Sequence, residues 1–263
     1  MLLIGLTESG IVPSFLMHIE ACRQGIPCKW VCSTRRTGIA GLPFQELHSH
    51  GPDHTLPLPP EETAEVWIVE DEITSGTTVK NLISQIQEHL AAPVFRIFSF
   101  ADSRSAEQKE DFFHQFSGCG KRCLFHALAS AAELCSSAPP DSICKAAACP
   151  ADLLRSMAAQ LGKAHLLRKQ GGEHLLVVGE SVSTAVLLVV AGIFECFHHV
   201  TLSPWSVDHV NITSRMDFAE YYLYNWQQMH RPVHLLHDQA DRDAGERVRQ
   251  QLELKGTTVN IFS

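Results

Sequence analysis

The stretch that most restricts the fold is VWIVEDEITSGTT, residues 66–78. Val66, Trp67, Ile68 and Val69 form an unbroken apolar run with β-branched members, the pattern of a strand buried on both faces of a parallel sheet. The run gives way to two adjacent carboxylates, Glu70 and Asp71, and then to Thr74, Ser75, Gly76, Thr77 and Thr78. Beyond them Val79, Leu82, Ile83, Ile86 and Leu90 recur at three- and four-residue spacings, so a helix with one apolar face is expected, with Thr77 or Thr78 as its N-cap. A strand that enters a helix through such a turn carries two chemistries side by side. Backbone N–H groups and hydroxyls at a helix start suit a phosphate, and the helix dipole favours it further. The carboxylate pair suits vicinal hydroxyls or a hard cation. A sugar phosphate presents both needs, and open parallel sheets bind ligands at this carboxyl edge.

The surrounding sequence repeats the strand, turn and helix pattern. Met1 to Leu6 are nearly all apolar and read as a strand, Gly5-Leu6-Thr7-Glu8-Ser9-Gly10 as a turn, and Phe15, Met17, Ile19 and Cys22 as a helix behind it. Cys28 to Ser33 reads as the next strand, and it ends in Ser33-Thr34-Arg35-Arg36. Two guanidinium groups there are well shaped for phosphate or pyrophosphate oxygens, or are simply solvated. Residues 37–60, with prolines at 52, 57, 59 and 60, read as a long irregular segment. Its histidines, His48, His50 and His54, lack the spacing of a tetrahedral zinc site; one or two of them touch a ligand, or all stand on a loop surface. Phe95 to Phe100 reads as a further strand followed by Ala101-Asp102-Ser103, and Glu107 to Phe116 as a helix.

On these residues the chain resembles the type I phosphoribosyltransferases. Their phosphoribosyl-pyrophosphate (PRPP) motif has four hydrophobic residues, two acids, two further positions and a Thr/Ser/Gly-rich loop, which usually carries a second glycine where Thr77 stands here. The combination of GLTESG, STRR, FQELHSHGPDH and VEDEITSGTT resembles a narrower family, the phosphoribosyltransferases of tellurite-resistance gene clusters, over roughly residues 1–110. The resemblance implies a glycosyltransferase that moves ribose 5-phosphate from PRPP to a small-molecule acceptor and releases pyrophosphate, with Mg2+ as cofactor. It places Glu70 and Asp71 on the ribose hydroxyls and the magnesium, with Arg35 completing the catalytic set. It places Thr74, Ser75, Gly76, Thr77 and Thr78 on the 5′-phosphate, and Thr7, Glu8, Ser9 and Gly10, with Arg35 and Arg36, on the pyrophosphate. The irregular segment then corresponds to a mobile loop that closes over PRPP.

The acceptor is not legible. Type I enzymes often recognise it with a hood built ahead of the first core strand, and here that strand starts at Met1, so the hood is expected from the second half or is missing. A non-catalytic PRPP or nucleotide-binding sensor or partner subunit is therefore the alternative to an enzyme. A dinucleotide-binding Rossmann domain is disfavoured, because no Gly-x-Gly-x-x-Gly follows Ile4.

At 263 residues the chain has room for one large or two modest cores. We expect an α/β fold: a parallel-sheet, type I phosphoribosyltransferase-like domain at residues 1–117, an Ala/Cys/Ser-rich connector of short helices at 118–165, and a smaller α/β domain at 166–263. In the second half Leu175 to Gly179, Val200 to Ser203, Pro232 to His237 and Thr258 to Phe262 read as strands, with helices at Val186 to Phe194 and Asp243 to Lys255. Ile212-Thr213-Ser214-Arg215 with Tyr222-Leu223-Tyr224-Asn225 resembles the later half of the domain named for a Thr-Arg-Ser-Pro signature, of which only Ser203-Pro204 stands in place. The net charge of −8 and the absence of a basic stripe argue against a nucleic-acid partner. The apolar stretch Val182 to Phe194 is too short for a membrane span and reads as a buried helix. Nine cysteines without a leader at Met1 to Gly10 point to a reducing, cytoplasmic setting. Cys119, Cys123, Cys135, Cys144 and Cys149 are read as thiols rather than metal ligands, and a homodimer is left open as the assembly.

Overall fold

The apolar run at residues 66–69 lies in the middle of a parallel sheet in the computed structural model, which describes residues 1–46, 52–57, 63–90, 94–117, 121–130, 174–194, 196–201, 214–219, 221–226 and 232–262. The chain divides into two units, Met1–Cys149 and Pro150–Ser263. Both are α/β with parallel sheets, as the alternation of apolar runs and amphipathic segments predicts.

In the first unit, strands β1 (Leu2–Gly5) and β2 (Lys29–Cys32) are followed by β3 (Leu42–Gln45) and β4 (Asp53–Leu56), then by β5 (Glu65–Val69) and the two-residue β6 (Glu72–Ile73), and finally by β7 (Val94–Asp102) and β8 (Arg122–Ser130). The main sheet runs β2-β1-β5-β7, with β6 and β8 also paired to β7, and every pairing in it is parallel. Helix α1 (Ile11–Arg23) buries Ile11, Phe15 and Ile19, while Cys22, expected on that apolar face, is exposed. Helices α2 (Thr77–His89) and α3 (Ala106–Ser117) cover the sheet. Val79, Leu82, Ile83 and Ile86 of α2 meet Leu2, Ile4, Val66, Ile68, Phe95 and Ile97 of the sheet and Phe112 and Phe116 of α3 in one core. Each such side chain contributes roughly 1.5–3 kcal/mol through its burial.

Two expectations for this unit need correcting. Residues 37–60 are not irregular throughout, since β3 and β4 form an antiparallel hairpin whose Leu42, Phe44 and Leu56 enter the core. Its strands are four residues long and carry one buried face, too little to separate from loop in a proline-containing sequence. The expected connector begins with β8, which extends the sheet alongside β7 and packs Cys123 and Phe125 against the core. The rest of that connector, with Cys119, Cys135, Cys144 and Cys149, lies outside the described residues, as do His48 and His50.

In the second unit β9 (His174–Val178), β10 (Phe197–Val200), β13 (Val233–Leu236) and β14 (Val259–Phe262) form a parallel sheet in the order β10-β9-β13-β14. Helix α4 (Val182–Val190) starts earlier and stops sooner than the apolar pattern suggests, and Gly192, at φ 71°, follows its end. Helix α5 (Arg242–Leu254) buries Ala244, Gly245, Val248 and Leu252. The hairpin of β11 (Arg215–Phe218) and β12 (Tyr221–Tyr224) adds two strands to those read from the sequence; Met216, Phe218 and Leu223 join Leu176, Val178, Val233 and Val248 in the second core. Ser203-Pro204 and Ile212-Thr213 lie outside the described residues. Among the described residues no helix is long and apolar enough to cross a membrane.

Candidate functional site

Glu70 and Asp71 do not close their strand, as their polarity suggests, but interrupt it. Val69 is in register with Phe98, and after the two acids Glu72 and Ile73 take up the same register with Ala101 and Asp102. Across the gap Glu70 N–H donates to Phe98 O at 3.0 Å, and Asp71 O accepts from Phe100 N–H at 2.9 Å and Ala101 N–H at 3.2 Å. The backbone of the acids is thus pinned on both sides. Glu70 is 8% exposed, whereas Asp71 is exposed. Burial, then the hydrogen bond and charge of Asp71, then the charge of Glu46 push the Glu70 carboxyl well above the ordinary carboxylate range.

The Thr/Ser/Gly turn follows. The residue before α2 is Gly76, in the left-handed region at φ 78°, so it and not Thr77 or Thr78 is the N-cap, and no side chain caps the helix. Ser75 Oγ accepts from Thr77 N–H at 3.2 Å and donates to Thr77 Oγ1 at 2.9 Å. There is no acidic residue in the first turn of α2. Beneath Gly76 lies Arg104, 6% exposed, whose Nε and Nη2 each donate to Asp102 at 2.9 Å and whose guanidinium stacks on Phe125 with its centre 3.7 Å from the ring centroid. A Cβ on Gly76 would meet Arg104 Cδ at 3.3 Å and Nη1 at 3.7 Å. Arg104 Nη1 is buried with no hydrogen-bond partner among the described residues.

The first turn, residues 6–10, reaches the second directly. Leu6 N–H donates to Val69 O at 3.2 Å, and Ser9 Oγ donates to Glu70 Oε1 at 3.2 Å. Gly10 is required by proximity, because a Cβ there would lie 2.4 Å from Val69 O. Thr7 is buried, its N–H donating to Ser33 Oγ at 2.9 Å and its hydroxyl to Ser33 O; the Thr7–Glu8 peptide is cis. Arg35 Nη2 donates to Thr7 O at 3.2 Å, and its guanidinium lies 3.6 Å from Glu8 and 3.8 Å from Glu46. Arg36 N–H donates to Thr34 Oγ1 at 3.1 Å, and its side chain faces a cleft of about 560 Å³. That cleft is lined by Arg35, Arg36, Phe44, His54, Asn81 and Gln85 among others, and lies beside the Glu70 to Thr78 turn rather than over it.

The parallel topology therefore gathers residues 6–10, 33–36, 70–78 and 102–104 at one carboxyl edge. Contacts tie Thr7, Glu8, Ser9, Gly10, Arg35, Glu70 and Asp71 into one cluster, and Arg104 backs the turn that holds Thr74, Ser75, Gly76, Thr77 and Thr78. Four residues were missed or misplaced by sequence reasoning. His54, offered as a loop surface residue or a ligand contact, is 3% exposed: Nδ1 lies 3.2 Å from Ser33 Oγ, and Nε2 lies 3.2 Å from Glu46 and 3.3 Å from Arg35 Nε. Ser33 and Glu46 complete that network. Arg104 carried only a weak signal, a cation just past the end of a strand, as Arg35 is. For a hard cation, the donor set that fits is Glu70 and Asp71, two adjacent carboxyls with Glu8 nearby through Arg35; magnesium takes such oxygen donors with phosphate and water completing its shell.

A family model described as phosphoribosyl transferase matches residues 1–132, half of the chain. The chain belongs to the phosphoribosyl transferase family. Solved structures with some likeness to it include adenine phosphoribosyltransferase from Leishmania tarentolae, at 14% identity and TM-score 0.35, covering 50% of this chain and 62% of that one. Another is the Trypanosoma brucei adenine phosphoribosyltransferase in complex with AMP, pyrophosphate and ribose-5-phosphate, at 14% identity and TM-score 0.35, covering 61% and 68%. Orotate phosphoribosyltransferase from Aeropyrum pernix is 18% identical with TM-score 0.30, covering 51% and 62%. The chain thus spans less than two thirds of the length of the first and last of these. No curated protein matches the sequence.

Proposed function

We propose that the first unit binds PRPP with magnesium and transfers its ribose 5-phosphate to a small-molecule acceptor, releasing pyrophosphate. The observation that carries this reading is the contact of the two turns through Ser9 and Glu70, which sets a carboxyl pair between a hydroxyl-rich helix start and an arginine-bearing loop. The narrower kinship with the tellurite-cluster enzymes and their Thr-Arg-Ser-Pro domain belongs to the same proposal.

Displacement of pyrophosphate from the anomeric carbon proceeds through a transition state with oxocarbenium character. The protein must hold the ribose, match the charge of the departing group and exclude water. Glu70 and Asp71 accept hydrogen bonds from the ribose hydroxyls. Thr74 to Thr78, with backbone N–H groups at the start of α2, surround the 5′-phosphate, and the buried Arg104 adds positive potential from below. Thr7 to Gly10 and Arg35 face the pyrophosphate, with His54 and Glu46 orienting the guanidinium and Arg36 beside it. Glu70 and Asp71 would hold magnesium together with PRPP oxygens, and the bound ion would supply charge neutralisation of the leaving group. Pyrophosphate release from magnesium-PRPP, assayed with a small-molecule cell extract as acceptor source, tests the reading. Release that depends on the extract supports transfer. Saturable PRPP binding without release identifies a sensor or partner subunit instead.

A further inference from the structure

The second unit carries a cluster whose chemistry the transferase reading does not use. His174 opens β9, Cys196 immediately precedes β10, and His198 lies within it. The strands are parallel with Phe197 opposite Leu175 and His198 opposite Leu176. Carrying that register back one residue sets Cys196 opposite His174. Side chains alternate along a strand, so Cys196 and His198 share one face with His174, the face from which Leu176, Val178 and Val200 enter the second core. The ligating atoms of the three residues all lie within 4.8 Å of one another. His174 Nδ1 is 3.1 Å from His198 Nε2, with the ring planes inclined at 52°, so nitrogen edges meet instead of ring faces.

We propose that His174, Cys196 and His198 bind a borderline-soft divalent metal ion of the zinc class. A thiolate with two imidazoles is a donor set of zinc, and the absence of any carboxylate from the trio excludes a magnesium- or calcium-like preference. Bonds of about 2.0–2.3 Å in a tetrahedral shell put neighbouring ligand atoms about 3.3–3.8 Å apart. The two nitrogens already stand close to that spacing, and a rotamer change at the exposed Cys196 brings in the sulfur. A hydrogen bond between two imidazoles would account for the histidines but not for a thiol beside them on the same face. The two histidines sit on directly paired strands and Cys196 on the residue just before β10, which holds the imidazoles together before the ion arrives. Three protein ligands leave one tetrahedral position for water or another donor, the arrangement of zinc sites that take an exogenous ligand. The cluster lies at the amino-terminal ends of β9 and β10, at the opposite end of these strands from the turn that leads into α4.

Cobalt(II) and zinc(II) titrated into the purified, reduced full chain test the proposal. One equivalent of cobalt should give a sulfur-to-cobalt charge-transfer band with the strong visible absorption of a four-coordinate ion, and zinc should displace it. Cys196→Ser should remove the charge-transfer band, and His174→Ala and His198→Gln should each weaken zinc binding by about tenfold or more, measured by competition with a chromogenic chelator. Cys196 is exposed, so its substitution leaves the metal-free fold and melting curve unchanged and remains decisive if a histidine variant misfolds. No cobalt band, or a band and zinc affinity that survive in Cys196→Ser, overturns the site.

Discussion

Each unit contains a buried parallel strand that turns through a glycine and small hydroxylated residues into a helix, yet the two joints differ in what faces the turn. Gly76, at φ 78°, leads into α2, and Gly179, at φ 74°, follows β9 ahead of α4; neither helix has a side-chain cap or an acid in its first turn. At Gly179 the protein supplies its own anion. A Cβ there would lie 2.0 Å from Asp241 Oδ2, and that oxygen accepts from Glu180 N–H at 3.3 Å. At Gly76 the neighbour is a buried cation, Arg104, while the carboxyl groups of Glu70 and Asp71 stand upstream in the strand. The turn and helix start are thus a general anion cradle; the charges packed around them decide whether it is filled from within or kept for a ligand.

Substitutions at the two joints can break this contrast. The largest expected effect is at Arg104. Its replacement by Met leaves Asp102 without its bidentate partner, with Lys109 at 3.5 Å as the remaining cation, and should lower stability by about 3 kcal/mol in urea denaturation. Burial alone would raise the Asp102 pKa, but the hydrogen bonds and charge of Arg104, with the charge of Lys109, outweigh it and hold it below the ordinary value. That stabilisation is therefore present above the unfolded pKa and lost as pH falls through the folded one. Arg104→Met should flatten this acid limb, and an unchanged limb would show that Arg104 does not hold the carboxylate.

Alanine at the two glycines gives the next effect. Both positions impose left-handed strain of about 1–2 kcal/mol. Gly179→Ala must also expel the Asp241 carboxylate at 2.0 Å, whereas Gly76→Ala meets Arg104 Cδ at 3.3 Å and Phe112 Cδ2 at 3.4 Å, close to ordinary contact. Gly179→Ala should therefore melt lower than Gly76→Ala, and equal losses would mean that Asp241 does not fill its turn.

Glu70 sharpens the contrast through pH. Its raised pKa means that the folded chain holds a proton which the unfolded chain releases, so its contribution is complete below the unfolded pKa and declines as pH rises through the folded one. Glu70→Gln should raise the melting temperature of the ligand-free protein at neutral pH while removing PRPP binding. In the wild-type protein, binding of magnesium-PRPP should release a proton, read by calorimetry in buffers of different ionisation enthalpy. A heat independent of the buffer would contradict this.

The sequence carried the site's parts more clearly than their arrangement. Strands β1 and β5 were legible because each is a short apolar run ended by polar turn residues, β7 because its buried residues alternate, and α2 because its apolar positions keep helical spacing. Chemistry at one carboxyl edge follows from parallel pairing alone. The strand's resumption after Asp71 was hidden, since two polar acids on a backbone that stays paired look the same as acids at a strand's end. The cap was misread because Gly76 takes the left-handed backbone that a threonine would resist. His54 and Glu46 were obscure for another reason: their roles arise from a hairpin that folds back onto Ser33 and Arg35, a contact with no local signature. Strand β8, with Cys123, His126 and several small residues, has no clean alternation, and only its pairing with β7 defines it.

Calorimetric titration of PRPP in magnesium into the wild-type chain and into Asp71→Asn tests the central claim most directly. Asp71 is exposed, so the substitution should leave the fold intact, and relief of its charge on Glu70 should if anything raise the melting temperature. Saturable binding by the wild-type chain that disappears in Asp71→Asn is the expected result, and equal affinity in the two proteins would contradict the assignment of this turn to the ribose.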